Sequence, residues 1–320
     1  MTYRPTATTE TLRLRARMLA RTRAFFAARG VLEVETPSLS ESAPTDPALE
    51  SVEVAVRALA RPHYLHTSPE LAMKRLLAAG AGDMYQICRV FRDGELGRWH
   101  QPEFTMLEWY RLGWDDDRLM DEVEALVRDA LDAETTRKWP AERITYRNAF
   151  VRALGVDPLR DARSVGRRLA EHGIEVPAGL DDDALLDLAL GTVVAPGFAR
   201  EALTFVHDYP RTQAALARLK PGEPKVAARF ELFAGGLELA NGFAELTDAR
   251  EQRRRFYANQ AVRRRRGLPT RPVDEDFLAA LEQGLPACAG VALGFDRLVA
   301  VAGGLPSLAD AVAFAHPAPG

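Results

Sequence analysis

Cysteine is scarce: Cys88 and Cys288 are the two in 320 residues, and neither has a second Cys or a His at ligand spacing. That argues against a disulfide framework or a zinc site, and two buried thiols in a reducing compartment are expected. Long apolar runs are missing as well. No stretch approaches the roughly 18 residues of a membrane span, and Met1 to Glu10 carries no apolar signal region. A cytoplasmic protein with no membrane partner is expected. Neither sign of charge dominates, since 42 Lys and Arg stand against 45 Asp and Glu for a net charge of -3. That balance is far from that of a nucleic-acid coat, although local basic clusters could still meet an acidic partner, so global charge leaves the partner open. No stable nucleic-acid binding is expected. Internal repeats and low-complexity linkers are also lacking. What is present, 47% hydrophobic and 27% charged residues, suits a globular chain with one large core or two modest ones.

Periodicity gives the organisation. Leu12, Leu14, Met18, Leu19, Phe25 and Phe26 recur at helical spacing over Thr9 to Arg29, and Gly30 stops that helix. Short strands are expected at Val31 to Val34, Ser51 to Val56 and His63 to Thr67. Ser68 then caps a helix that begins at Pro69 and ends at Gly80. Met84 to Arg92 and Phe104 to Arg111 read as antiparallel strands joined by a polar loop, Asp93 to Pro102, longer than a hairpin needs. A mainly helical section from about 115 to 190 follows. Strand character returns at Leu203 to His207, Arg229 to Phe233, Leu237 to Leu246 and Ala287 to Leu293, with a basic helix at about Thr247 to Arg266 between the last two. The expected class is α+β, an antiparallel sheet flanked by helices, in a single catalytic domain over 1–320 with a helical insertion at about 115–190.

Two strands carry acids among large apolar groups. In the first, period two puts Phe104, Met106, Glu108 and Tyr110 on one face; in the second it aligns Asn241, Phe243 and Glu245, with Gly242 between them. A buried carboxylate costs several kcal/mol unless paired (roughly), so something positive should meet Glu108. Two acids with a phenol and a second ring suit an ammonium ligand. Either acid alone also fits a surface charge on an edge strand. Arg92 and Arg297 are candidates for phosphate, the latter at the helix start after Gly294-Phe295-Asp296. Glu231 and Glu238 flank the turn Phe233-Ala234-Gly235-Gly236. Centred on Ala234-Gly235, the turn sets the two carboxylates opposite one another, a place for Mg²⁺ with nucleotide phosphates. Centred on Gly235-Gly236, it slips the register and the inference fails.

Taken together the residues resemble the catalytic core of class II aminoacyl-tRNA synthetases of the lysyl type, over about Thr9 to Pro317. Phe25 to Pro37 looks like the first motif of that class. Phe91-Arg92 through Arg98, His100, Pro102-Glu103-Phe104 and Glu108 looks like the second, and Gly290 to Arg297 like the third. Thr67-Ser68-Pro69-Glu70 and Glu238-Leu239-Ala240-Asn241-Gly242-Phe243 stand between them in order. The resemblance implies ATP and Mg²⁺ as cofactors and a homodimer built on the first motif. It places ATP on Arg92, Asp93, Gly94, Glu95, His100, Gln101, Phe104, Glu238, Leu239, Gly294 and Arg297, with Phe104 under the adenine and Arg92 and Arg297 catalytic. Mg²⁺ falls to Glu231 and Glu238. The amino acid falls to Ser68, Pro69, Glu70, Glu108, Tyr110, Asn241, Phe243, Glu245 and Ala292, with Glu70 on the backbone amine and Glu108, Tyr110, Asn241, Phe243 and Glu245 reading the distal ammonium. Without the family, Glu70 is also explained as a helix N-terminal acid, and Phe104 as core.

Three departures from the family pattern matter. Gly94 stands where an acid is usual, with Glu95 beside it. Motif one opens the sequence, so no anticodon-binding barrel is expected, and Ala292 replaces a usual Gly. Those last two features resemble the family's stand-alone branch, which joins (R)-β-lysine to a lysine of translation elongation factor P. Alternatives are a truncated synthetase that charges tRNA and a non-catalytic paralogue that binds an amino acid. The basic helix, with Arg253 to Arg255 and Arg263 to Arg266, fits either an acidic partner's surface or a solvated face.

Overall fold

The structure, a computed structural model, describes residues 3–135, 138–222 and 225–317. Helix α1 (Thr9–Ala27) begins where the Thr8 hydroxyl accepts from Thr11 N, and it buries Leu14, Met18, Phe25 and Phe26. It ends before Gly30, whose φ of 66° reverses the chain at no steric cost. Short strands β1 (Leu32–Glu33), β2 (Leu39–Ser40), β3 (Glu53–Val54) and β4 (His63–Leu65) lead to α2 (Glu70–Ala78). The two long strands β5 (Met84–Phe91) and β6 (Glu103–Leu112) follow as expected, antiparallel and fully paired from Met84 opposite Tyr110 to Phe91 opposite Glu103.

Residues 115–190 hold α3 (Asp116–Asp132), β7 (Ala141–Thr145), α4 (Tyr146–Leu154), α5 (Arg163–Glu171) and α6 (Asp182–Ala189). This section is not all helical, nor does it stand apart. Strand β7 joins the main sheet beside β8 (Leu203–Pro210), and α3 sinks Leu119, Met120, Val123, Leu126, Val127 and Leu131 into the principal core. The chain closes with β9 (Val226–Ala234), β10 (Leu237–Ala244), α7 (Ala249–Arg265), α8 (Glu275–Gly284), β11 (Cys288–Gly294) and α9 (Phe295–Gly303).

The strands form one eight-stranded sheet, ordered β1-β5-β6-β11-β10-β9-β8-β7, and a small sheet β2-β4-β3. Pairing is antiparallel inside the large sheet and parallel only at its edges, β1 on β5 and β7 on β8. Helices α1, α3 and α9 cover one face. Phe26 stacks on Tyr85 at 4.4 Å and meets Trp109 edge-on at 5.4 Å, both within this core. Each fully buried aromatic or aliphatic side chain there contributes roughly 1.5–3 kcal/mol. A second cluster unites α4, α5 and α6 with β8 and β9, and a third joins α2, α7 and α8 to the β6 and β11 end.

One buried carboxylate sews the layers together. Asp296, in the first turn of α9, accepts from Arg15 of α1 at 2.5 Å and from the Thr105 backbone of β6 at 2.8 Å. The turn between β9 and β10 centres on Gly235-Gly236, at φ of 55° and 85°, and pairs Ala234 with Leu237. A Cβ at either glycine would run into main-chain oxygen, Arg200 O or Ala195 O respectively.

Candidate active site

The large sheet's uncovered face is the floor of a cavity of about 1370 Å³. Register explains its shape. Glu108 lies opposite Ala292, Ala292 opposite Asn241, and Asn241 opposite Glu231, so one row crosses β6, β11, β10 and β9. Two residues along runs a second row, Tyr110, Gly290, Phe243 and Arg229. In both rows β11 supplies the smallest side chain, which opens the middle of the floor. A Cβ at Gly290 would collide with the Tyr110 ring and lie 2.6 Å from Glu245 Oε1. Every residue nominated from the sequence lines this cavity except Asp93 and Gly94, which lie on its margin, Asp93 Oδ1 accepting from Gly94 N.

One end of the cavity is acidic and dry. Glu108 is 2% exposed and accepts from Tyr110 Oη at 2.6 Å and from Ser68 Oγ at 2.7 Å. Ser68 also accepts from Glu70 N at 3.0 Å. It thus does more than cap α2, whose formal cap is Pro69. Two hydroxyl donors hold Glu108, and the nearby Lys74 charge also favours its ionised form. Burial, with the charge of Glu70, pushes the Glu108 carboxyl up to about 7. Glu245 is 3% exposed, and burial pushes it up to about 8 against the opposing pull of Lys74. Its Oε2 is in ionic contact with Lys74 Nζ at 2.5 Å, without hydrogen-bond alignment, and its buried Oε1 has no partner. Lys74 also donates to Glu70 Oε1 at 2.6 Å. Sequence reading passed over Lys74, although its spacing of four from Glu70 on a helix is a recognisable signal.

Asn241 sits between the two ends. Its amide oxygen accepts from Arg229 Nε at 3.2 Å, so the group offered to the cavity is the NH₂. A donor there suits a carboxylate. Arg229 is the second functional residue missed. It donates to Glu231 Oε1 at 2.5 Å and to Gln213 O at 2.7 Å, and alternation with Glu231 on β9 was its available signal.

The other end is cationic and wetter. The Arg92 guanidinium lies 5.1 Å from the Phe104 ring centre, with Glu95 at 3.6 Å from Arg92. Arg297 donates to Glu238 O at 2.9 Å and Trp99 O at 3.3 Å, and meets His100 Nε2 at 2.9 Å. Burial and then the Arg297 charge lower the His100 pKa, which keeps that ring neutral and able to accept. Leu239 and Gly294 complete this wall. Gln101 faces the cavity edge but spends its amide on the His316 backbone, accepting from His316 N at 2.8 Å.

The hairpin register decides the metal argument. Glu238 pairs with Phe233, a bulge follows before Ala240, and Glu231 pairs with Asn241. The two carboxylates are thus not opposite one another, and cross-hairpin pairing does not place Mg²⁺ between them. The donor set still fits the ion. Both carboxylates line the cavity, and burial, together with the Glu238 charge, raises the Glu231 pKa. Among the described residues no group of three or more His, Cys, Asp or Glu is arranged around a common point. Two carboxylates suit an ion that shares its coordination with phosphates.

The site is a four-strand floor flanked by an acidic end and an arginine end. A family model described as tRNA synthetases class II (D, K and N) matches residues 1–318, and the chain belongs to that family. More particularly, it is 47% identical over 98% of its length to the elongation factor P-(R)-beta-lysine ligase of Salmonella typhi, covering 97% of that protein. The ligases of the same name from Salmonella dublin and Salmonella enteritidis match at the same identity and coverage. No helix among the described residues is long and apolar enough to cross a membrane.

Proposed function

We propose that this protein is an ATP-dependent ligase that activates (R)-β-lysine, or lysine, as its adenylate and transfers it to a lysine side chain of translation elongation factor P. The observation that carries this reading is the dry acidic end, where Glu245 Oε1 is buried without a partner beside the Glu108 carboxylate. An unpaired carboxylate oxygen there calls for a cation, and an ammonium on a short aliphatic chain fits the ring-lined walls of Tyr110 and Phe243. The acceptor follows the name of the Salmonella relatives, which the chain matches over 98% of its length.

In this reading Glu108 and Glu245 take the distal ammonium. Glu70, with Oε2 left free by Lys74, takes the other amine, and Ser68, Pro69 and Ala292 shape that wall. The Asn241 NH₂ holds the substrate carboxylate. A carboxylate oxygen forms its bond to the α-phosphorus of ATP while the bond to pyrophosphate breaks. The acceptor amine then attacks the acyl carbon, AMP leaves, and the amine's proton is lost to solvent. Arg92 and Arg297 stabilise the charge that grows on the phosphates, and Phe104 lies under the adenine. Glu231 and Glu238 would hold Mg²⁺, which screens phosphate charge when bound. A homodimer is proposed through the motif-one edge, where the two-residue strand β1 ends the sheet and leaves Leu32 53% exposed.

The test is intact-mass analysis of elongation factor P after incubation with the enzyme, ATP, Mg²⁺ and either amino acid, alongside acid-gel analysis of tRNA. A gain of one lysyl unit on the protein, larger with (R)-β-lysine and without charged tRNA, supports the ligase. Charged tRNA with unmodified protein points to a truncated synthetase. No product and no pyrophosphate exchange points to an amino-acid-binding paralogue.

A further inference from the structure

Three carboxylates, Glu70, Glu108 and Glu245, line the dry end and act on one another through their charges, and one buried cation, Lys74, is in contact with two of them. Lys74 is 1% exposed, and although burial alone would lower its pKa, the charges of Glu245 and Glu70 outweigh that and raise it. It is therefore an ammonium at all working pH. With every carboxylate ionised, three negative charges less one positive leave two. The other titratable groups facing the cluster do not alter that sum. Tyr110 is raised well above its ordinary value, and burial pushes the Cys88 and Cys288 thiols up to about 12.

We propose that Lys74 is a built-in ammonium that matches this end of the cavity to a substrate bearing two ammonium groups, a specificity-determining and positioning residue. The inference rests on the diamino-acid reading above. Its geometry follows from the helix. Lys74 stands one turn after Glu70 on α2, so a single side chain spans from the carboxylate proposed for one amine to the carboxylate proposed for the other. It holds Glu70 and Glu245 apart at a fixed distance and takes Glu70 Oε1 and Glu245 Oε2. Glu70 Oε2 and Glu245 Oε1 remain for the ligand. Without Lys74, two adjacent buried carboxylates would repel, and one would keep a proton in place of a counter-charge.

The test compares Lys74→Met, which keeps length without charge, Lys74→Arg, which keeps charge, and Lys74→Ala, which leaves a void. In pyrophosphate exchange, Lys74→Met should raise KM for the diamino acid on the order of tenfold to a hundredfold at neutral pH, with a smaller change in kcat. That gap should narrow as pH rises, because the unpartnered carboxyl must then ionise. Lys74→Arg should stay nearer the wild type than Lys74→Met. Propylammonium added to Lys74→Ala should lower KM again, and 1-propanol should not. Rescue by the alcohol equal to that by the ammonium, or a Lys74→Met enzyme with wild-type KM, would overturn the proposal in favour of a packing role. Binding of 1,5-diaminopentane without ATP, followed by calorimetry on the same proteins, separates this inference from the ligase reading. A wild type that binds the diamine, with Lys74→Met binding it more weakly, sustains the inference even if no exchange occurs; equal binding by both sinks it, and no diamine binding by the wild type sinks both readings.

Discussion

The two ends of the cavity are built on opposite principles. At the acidic end the side chains of Lys74 and Glu245 each keep 1% of their surface, whereas at the arginine end Arg92 keeps 25% and Glu238 43%. The dry end carries its own counter-ion and hydroxyl donors before any ligand arrives. The wet end holds Arg297 on main-chain carbonyls and leaves the Glu238 carboxylate partly in water. Interactions between charges are stronger away from water, so a single misplaced ammonium is felt at the first end, while a polyphosphate with several charges needs no burial to be held at the second. Selectivity should therefore reside in the acidic end and turnover in the arginine end.

Substitutions can break that division. The largest effect is expected for Arg297→Ala, a loss of roughly 10²–10³ in kcat for pyrophosphate exchange; a loss below tenfold would place the turnover machinery elsewhere. Glu245→Gln should act on the other parameter, raising KM for the diamino acid on the order of a hundredfold while leaving KM for ATP alone. Matched changes in both KM values would erase the distinction between the ends. Gly290→Ala pushes a methyl group against Tyr110 and Glu245, and should cost about 1–3 kcal/mol in a thermal melt together with a weaker amino-acid KM.

The smallest effect concerns pH. Burial holds Glu108 near 7 and Glu245 near 8, above an ordinary 4.5, so both retain protons in the folded protein that the unfolded chain has released. Two consequences of opposite sign follow. Their contribution to stability falls as pH rises from the ordinary value through about 8, because the buried groups are forced to ionise. Affinity for an ammonium ligand rises over the upper part of the same window, because the ligand binds the ionised form. Calorimetric titration with the diamino acid should show protons released to the buffer at neutral pH; equal affinity at about pH 6 and about pH 8 would show that the pair is already ionised.

Much of this was legible from the residues, for identifiable reasons. Period two put Glu108 with Tyr110 and Asn241 with Phe243 and Glu245, and those faces are the cavity floor. The α+β class and the long antiparallel pair β5 and β6 were equally readable, since continuous strand runs and a polar loop are local signals. Register was not local. A shift of one position in the turn, from Ala234-Gly235 to Gly235-Gly236, separates Glu231 from Glu238, and it is set by what the glycines meet from a distant segment. Hydrogen-bond partners are not local either: Glu108 accepts from Ser68 and Tyr110, and the Asn241 amide oxygen accepts from an arginine on the neighbouring strand. Lys74 could have been found by helical spacing alone, had the acid before it been read as half of a pair. The helical section hid β7, a short strand whose one neighbour, β8, lies far along the chain.

The tight fit of the Gly235-Gly236 turn bears on protein engineering. Hairpin tips are the customary places to graft an epitope or lengthen a loop, since they face solvent and tolerate insertion. Here the tip is wedged against the carbonyls of Arg200 and Ala195, and the strands that leave it carry Glu231 and Glu238. An insertion scan should find this tip intolerant, unlike an ordinary surface hairpin.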